Sequence, residues 1–216
     1  MFSCLLLLWS SVSLAEVTTD RQLWTAAGVK AELIEELDVE FTQHVRWAEN
    51  VSTLDSIMPE LGLSYGVLPW VGLAASYRAA SKRGDDGDMQ PGSRIAASAV
   101  IEGEVGPVEL GYRFQWQQKG TAEDEDPSTR LRHRAQASID TGTVIKPLVS
   151  YEMFSDPSAD PGEIKQKSRL TAGAGFKLTK AHRLKIKYHH QLELDGDGDM
   201  ERIIVVGYRY GFSMVD

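Results

Sequence analysis

Cysteine is almost absent: Cys4 is the only one in 216 residues. It lies in a segment read below as cleaved, so the mature chain is expected to carry neither an internal disulfide nor a thiolate metal site. Long apolar runs are missing as well. Beyond the first residues nothing approaches the ~20 apolar residues that a membrane-spanning helix needs. Positive charge is in deficit, with 23 Lys and Arg against 31 Asp and Glu and a formal net charge of −8. That balance argues against a nucleic-acid partner. No G-x-S-x-G, H-E-x-x-H or phosphate-cradling glycine loop occurs, so no cofactor is expected and no catalytic residue is assigned. His44, His133, His182, His189 and His190, with Ser98, Ser138 and Ser150, do not assemble into a Ser–His–acid set by spacing. His189 and His190 are adjacent, so on a strand they point to opposite faces.

What the chain does contain is a period-2 alternation repeated along its length. Leu37, Val39, Phe41, Val45 and Trp47 alternate with Asp38, Glu40, Thr42, His44 and Arg46. Val108, Leu110, Tyr112, Phe114 and Trp116 alternate with Glu109, Gly111, Arg113, Gln115 and Gln117, and Leu184, Ile186 and Tyr188 with Arg183, Lys185, Lys187 and His189. Strands of this kind have one apolar and one charged face, which suits a transmembrane barrel with lipid outside and a polar lumen. Residues 1–15 read as a signal peptide, with an apolar core at Leu5 to Trp9 and a small-x-small site at Ser13-Leu14-Ala15, although no Lys or Arg precedes the core. Residues 16–216 then form one domain.

Eleven strand-like segments stand out, at about 22–33, 37–48, 57–67, 71–80, 93–102, 107–118, 128–139, 143–154, 167–178, 182–193 and 201–212. Short and long connections alternate between them, as with periplasmic turns and extracellular loops. The fold expected is all-β: a transmembrane antiparallel up-and-down β-barrel of about 10–12 strands. Single-chain bacterial barrels have even strand numbers, so ten or twelve wall strands are expected. Segment 22–33 is the weakest, because Ala26, Ala27 and Gly28 blur its alternation.

Trp47, Tyr77 and Trp116 are placed by spacing at the loop ends of their strands, and Trp70 in a turn. Tyr208, Tyr210 and Phe212 share one face of the last segment. These seven are read as membrane-interface aromatics. With the polar face taken as the lumen, a mixed-charge network is expected. Its cations are Arg78, Arg113, Arg130, Arg132, Arg134, Arg169, Arg183, Lys185 and Lys187, and its carboxylates are Glu60, Glu102, Glu109 and Glu152. Such a network either fills the lumen with salt bridges or leaves a narrow pore or cavity with an anion-attracting wall. Acidic clusters mark the longer loops, at Asp85 to Asp88, Glu123 to Asp126, and Asp195, Asp197 and Asp199. The last has carboxylates at alternate positions like the start of a calcium loop, but Met200 and Val206 stand where that motif needs Gly and Glu.

Four stretches carry a resemblance. They are Leu23-Trp24, Tyr65-Gly66-Val67-Leu68-Pro69 running on to Tyr77-Arg78, Tyr151-Glu152-Met153-Phe154, and Ser168-Arg169-Leu170-Thr171-Ala172-Gly173. Together they resemble an uncharacterised Gram-negative outer-membrane family of about this length, over most of residues 21–212. The resemblance implies a barrel in the bacterial outer membrane and no activity. The chain departs from common barrel patterns by ending in Asp216, with Phe212 in the place of the terminal aromatic. The role expected is structural or that of a narrow pore. An outer-membrane lipid or peptide hydrolase, and a soluble periplasmic barrel or sandwich that binds a ligand, stand as alternatives. The partners expected are outer-membrane lipid, lipopolysaccharide and the outer-membrane assembly machinery.

Overall fold

The computed structural model describes residues 19–84, 86–121, 127–159, 165–194 and 199–215. The signal segment, Cys4, Asp85, Glu123 to Asp126, Asp195 and Asp197 lie outside the described residues. Eleven strands follow one another: β1 (Thr19–Ile34), β2 (Leu37–Ala48), β3 (Thr53–Leu68), β4 (Val71–Arg83), β5 (Met89–Val105), β6 (Val108–Thr121), β7 (Ser128–Ile139), β8 (Ile145–Ser155), β9 (Lys165–Lys177), β10 (His182–Glu193) and β11 (Met200–Ser213). Each pairs antiparallel with its chain neighbours, and β1 closes the sheet against β11. The two-sheet sandwich is therefore not what forms.

The expectation of an even strand number is corrected. Eleven strands line the wall, and the weakest segment of the sequence is one of them. With an odd count the first and last strands run the same way, so β1 and β11 pair in parallel, from Thr19 opposite Met200 to Glu32 opposite Ser213. A closed sheet leaves no unpaired edge, and that gain does not depend on the direction of the closing pair. The small residues that blur the pattern of β1 have a local reason. At Gly28 a Cβ would stand 2.7 Å from the Thr42 hydroxyl and 3.2 Å from the Phe41 carbonyl on β2.

One face of every strand looks outward and is apolar. Val29, Phe41, Leu61, Tyr77 and Ile95 lie side by side across β1 to β5 in a single register row, and every one of them is exposed. A second row runs Ile101, Tyr112, Ala135, Tyr151 and Leu170 across β5 to β9. The opposite face lines the lumen. There the buried side chains are mostly polar, among them Gln117, Gln191, Glu152, Thr171 and Ser138, with Met58, Phe154 and Ile203 between them.

The two ends of the barrel differ. At one end the strands are joined through 35–36, 69–70, 106–107, 140–144 and 178–181, and at the other through 49–52, 84–88, 122–127, 156–164 and 194–199. Gly106 and Gly142 serve the first end, with φ of 60° and 67°, a region that costs glycine little. At the second end Glu49, Asn50 and Val51 all have positive φ. Asp20 accepts a hydrogen bond from the Asn50 N–H at 3.0 Å and helps to hold that bend.

Candidate functional site

The lumen is built around two shared carboxylates. The pairing register sets Glu60, Arg78 and Arg94 in line across β3, β4 and β5. Arg78 Nε donates to Glu60 Oε2 at 2.6 Å and Arg94 Nη2 to the same oxygen at 2.9 Å. Arg78 also reaches His44 Nε2 at 3.3 Å. Across the barrel, Glu152 on β8 takes Arg113 at 3.1 Å, Arg132 at 2.8 Å and Arg169 at 3.4 Å. Its side chain is only 5% exposed. An ion buried this far requires opposite charge and hydrogen bonds to offset desolvation. Here five guanidiniums share two carboxylates, which leaves the barrel's middle positive.

Aromatic rings support part of that surplus. The Arg46 guanidinium lies 3.8 Å from the centre of the Trp24 ring, and Arg169 lies 5.0 Å from Trp24 and 5.0 Å from Phe154. Arg132 completes the series, 4.7 Å from Phe154. A ring face attracts a cation without neutralising it. His189 packs edge-on against Trp24, with its Nδ1 2.7 Å from the Thr171 hydroxyl.

Toward the long-connection end the lumen widens into a cavity of about 410 Å³. Among the described residues nine Lys and Arg line it, and Asp55 and Glu201 are the carboxylates that do. An adjoining cavity of about 650 Å³ extends beneath the β4–β5 connection and shares Arg46, Lys82, Arg94 and Lys119 with the first. The cavities at the short-turn end are lined by a different set, including Glu109, Lys146, Arg183, Lys185 and Arg209. Among the described residues none lines both a cavity named at one end and a cavity named at the other. Between them the buried Glu152, Ser150 and Thr171, with the arginines on Glu152, form a belt of side chains.

The residues read from sequence as a lumen network divide along this axis. Arg78, Arg130, Arg132 and Arg169 line the cationic cavity. Glu60 is held by the cavity-lining Arg78 and Arg94, while Arg113 and Glu152 belong to the belt, with Arg134 directly across from Glu152 on β7 and Lys187 beside Gly173 on β10. Arg183, Lys185, Glu102 and Glu109 lie at the short-turn end, where Glu109 is paired with Lys146.

Of the aromatics, Trp70, Tyr208, Tyr210 and Phe212 are exposed, Trp47 stands next to the long-connection end of β2, and Trp116 lies five residues inside that end of β6. Tyr77 is a correction. β4 continues to Arg83, so Tyr77 sits in the middle of the wall, between Leu61 and Ile95. Among the described residues no group of His, Cys, Asp and Glu could hold a metal ion, and of the candidate calcium loop only Asp199 is described.

Sequence reasoning passed over Trp24, Arg46, Lys82, Arg94, Lys119 and Phe154. The signal was present in part: all share the in-facing parity of their strands, and the two rings interrupt otherwise polar faces.

A search of curated proteins finds no match. A family model described as protein of unknown function (DUF2490) matches residues 21–202, nearly the whole of the described barrel, and the chain belongs to that family.

Proposed function

We propose that this protein is a bacterial outer-membrane β-barrel whose lumen is closed at its middle by side chains, so that it acts as a structural or receptor element and not as an open pore. The observation that carries the reading is the sorting of side chains on a closed sheet. Apolar groups face outward around the wall and the charges face inward. Soluble proteins rarely expose apolar patches larger than a few hundred Å², whereas a barrel in lipid needs such a surface all round. The short turns would face the periplasm and the longer connections the exterior. The closed lumen rests on the Glu152 belt and on the separate linings of the cavities at the two ends.

The test is refolding of the mature chain into detergent and then into a planar bilayer. A folded barrel migrates anomalously on a gel until boiled and gives no discrete conductance steps. Migration unchanged by boiling, with no partition into vesicles, would overturn the membrane reading. Stepwise conductance from a folded barrel would instead favour the narrow pore, and replacing Arg132 and Arg134 with Glu should then shift its ion selectivity.

A further inference from the structure

We propose that the cationic cavity at the long-connection end binds a small soluble oxyanion carrying two or more negative charges, of the phosphate or pyrophosphate class. Three observations lead there. The first is charge: among the described residues nine cations line about 410 Å³, five of them paired with Glu60, Glu152 or Glu193, in a chain whose net charge is −8. The second is the way the surplus is held. Arg46, Lys82 and Lys119 make no ion pair with any described carboxylate. Glu60 and Glu152 are each divided among several guanidiniums. The third is the ring support of Arg46, Arg132 and Arg169 by Trp24 and Phe154. It orients guanidinium groups without adding a counter-charge, and Arg46 has no carboxylate partner among the described residues.

The chemistry of the wall selects the ligand. Guanidinium presents a planar fork of donors that matches two oxygens of a phosphoryl group, and ammonium groups at Lys82 and Lys119 add point charge beside it. A singly charged ion such as chloride would offset little of this field. The aromatic faces are taken by cations, so the cavity offers no platform for a nucleobase ring. It lies inside the closed wall, which separates it from anything on the outer face. The ligand is therefore a free anion entering from the aqueous end, not a lipid headgroup.

The proposal does not depend on whether the barrel conducts, and the titration needs only the folded chain in detergent. A failure here is thus separate from a failure of the membrane reading. Calorimetric titration of the refolded chain with pyrophosphate, at fixed ionic strength set by chloride, should give saturable binding. Arg46→Gln and Lys119→Gln each remove a cation without orphaning a described carboxylate, and each should weaken binding about tenfold. Lys177→Gln, at the opposite end, should leave it unchanged. Heat-dependent gel mobility reports whether each variant is folded, and Lys82→Gln replaces any that is not. Absence of saturable binding by the folded chain would overturn the proposal. So would equal weakening by Lys177→Gln, or displacement of pyrophosphate by phosphatidylglycerol micelles at matched phosphate concentration.

Discussion

At the scale of the residue, the lumen is organised by who shares a partner with whom. Glu152 is the most heavily shared, with three guanidiniums on one nearly buried carboxylate. Removing one member of a buried ionic cluster costs far more than the net contribution of the cluster, because the remaining charges stay desolvated without a counter-charge. Glu152→Gln keeps the shape and removes the charge. It is expected to destabilise the barrel by about 3–5 kcal/mol, read as a lower urea midpoint for loss of the fast-migrating form. An unchanged midpoint would mean that water, not Glu152, carries those arginines. Gly173 makes a different kind of demand. A Cβ there would be driven against the Ile186 carbonyl oxygen and would lie 2.8 Å from Lys187 Cα on β10. Backbone cannot step aside as a side-chain tip can, so Gly173→Ala should cost about 1–3 kcal/mol by the same measurement. Gly207→Ala, where a Cβ would meet nothing within 4 Å, serves as the comparison and should be close to neutral.

At the scale of the element, alternation sufficed to find every strand, and β2, β7 and β10 occupy the residues their spacing assigns. The others run longer, most of all β3 and β5, because polar residues near the mouth still pair in the ladder after the apolar pattern has faded; only β8 is shorter, by one residue. The closing pair is another matter. A strand pattern says which face is apolar but not which strand lies beside it, nor in which direction. The parallel register of β1 on β11 sets Thr25 opposite Val206, with both in the outward parity. In a chain carrying Cys4→Ser, cysteines introduced as Thr25→Cys and Val206→Cys should form a disulfide in the folded barrel under mild oxidation. Thr25→Cys with Ile204→Cys, two residues out of register, should not. Crosslinking of the second pair alone would shift the closure by two residues, and crosslinking of neither would leave β1 outside the wall.

At the scale of the whole molecule, an odd number of strands sends the two ends of the barrel chain to opposite rims. Thr19 begins β1 at the long-connection end, and Ser213 ends β11 at the short-turn end. In the proposed orientation these rims face opposite sides of a membrane. Single cysteines replacing Asp20 and Ser213, again with Cys4→Ser, should therefore react with a membrane-impermeant thiol reagent from opposite sides of sealed vesicles. Labelling of both from one side would contradict either the orientation or the odd strand number. The separation of charge belongs to this scale as well. An acidic chain folds into a barrel with a basic interior because its cations concentrate on the in-facing parity, while many of its carboxylates lie in the connections.

The sequence alone determined the class of fold, the number of strand segments, which residues share a face and where the short and long connections fall. All of these follow from local alternation, since a strand's two faces are separated by one residue and need no knowledge of any neighbour. Its prior for an even count misled, because evenness is a habit of barrels and not a rule of pairing. Only the tertiary structure decided that β1 joins β11 in parallel, that five guanidiniums converge on Glu60 and Glu152, and that Trp24 and Phe154 turn inward to support arginines from β2, β7 and β9. Those contacts join residues as far apart as Trp24 and Arg169. Closure of the sheet creates that proximity, and no spacing along the chain encodes it.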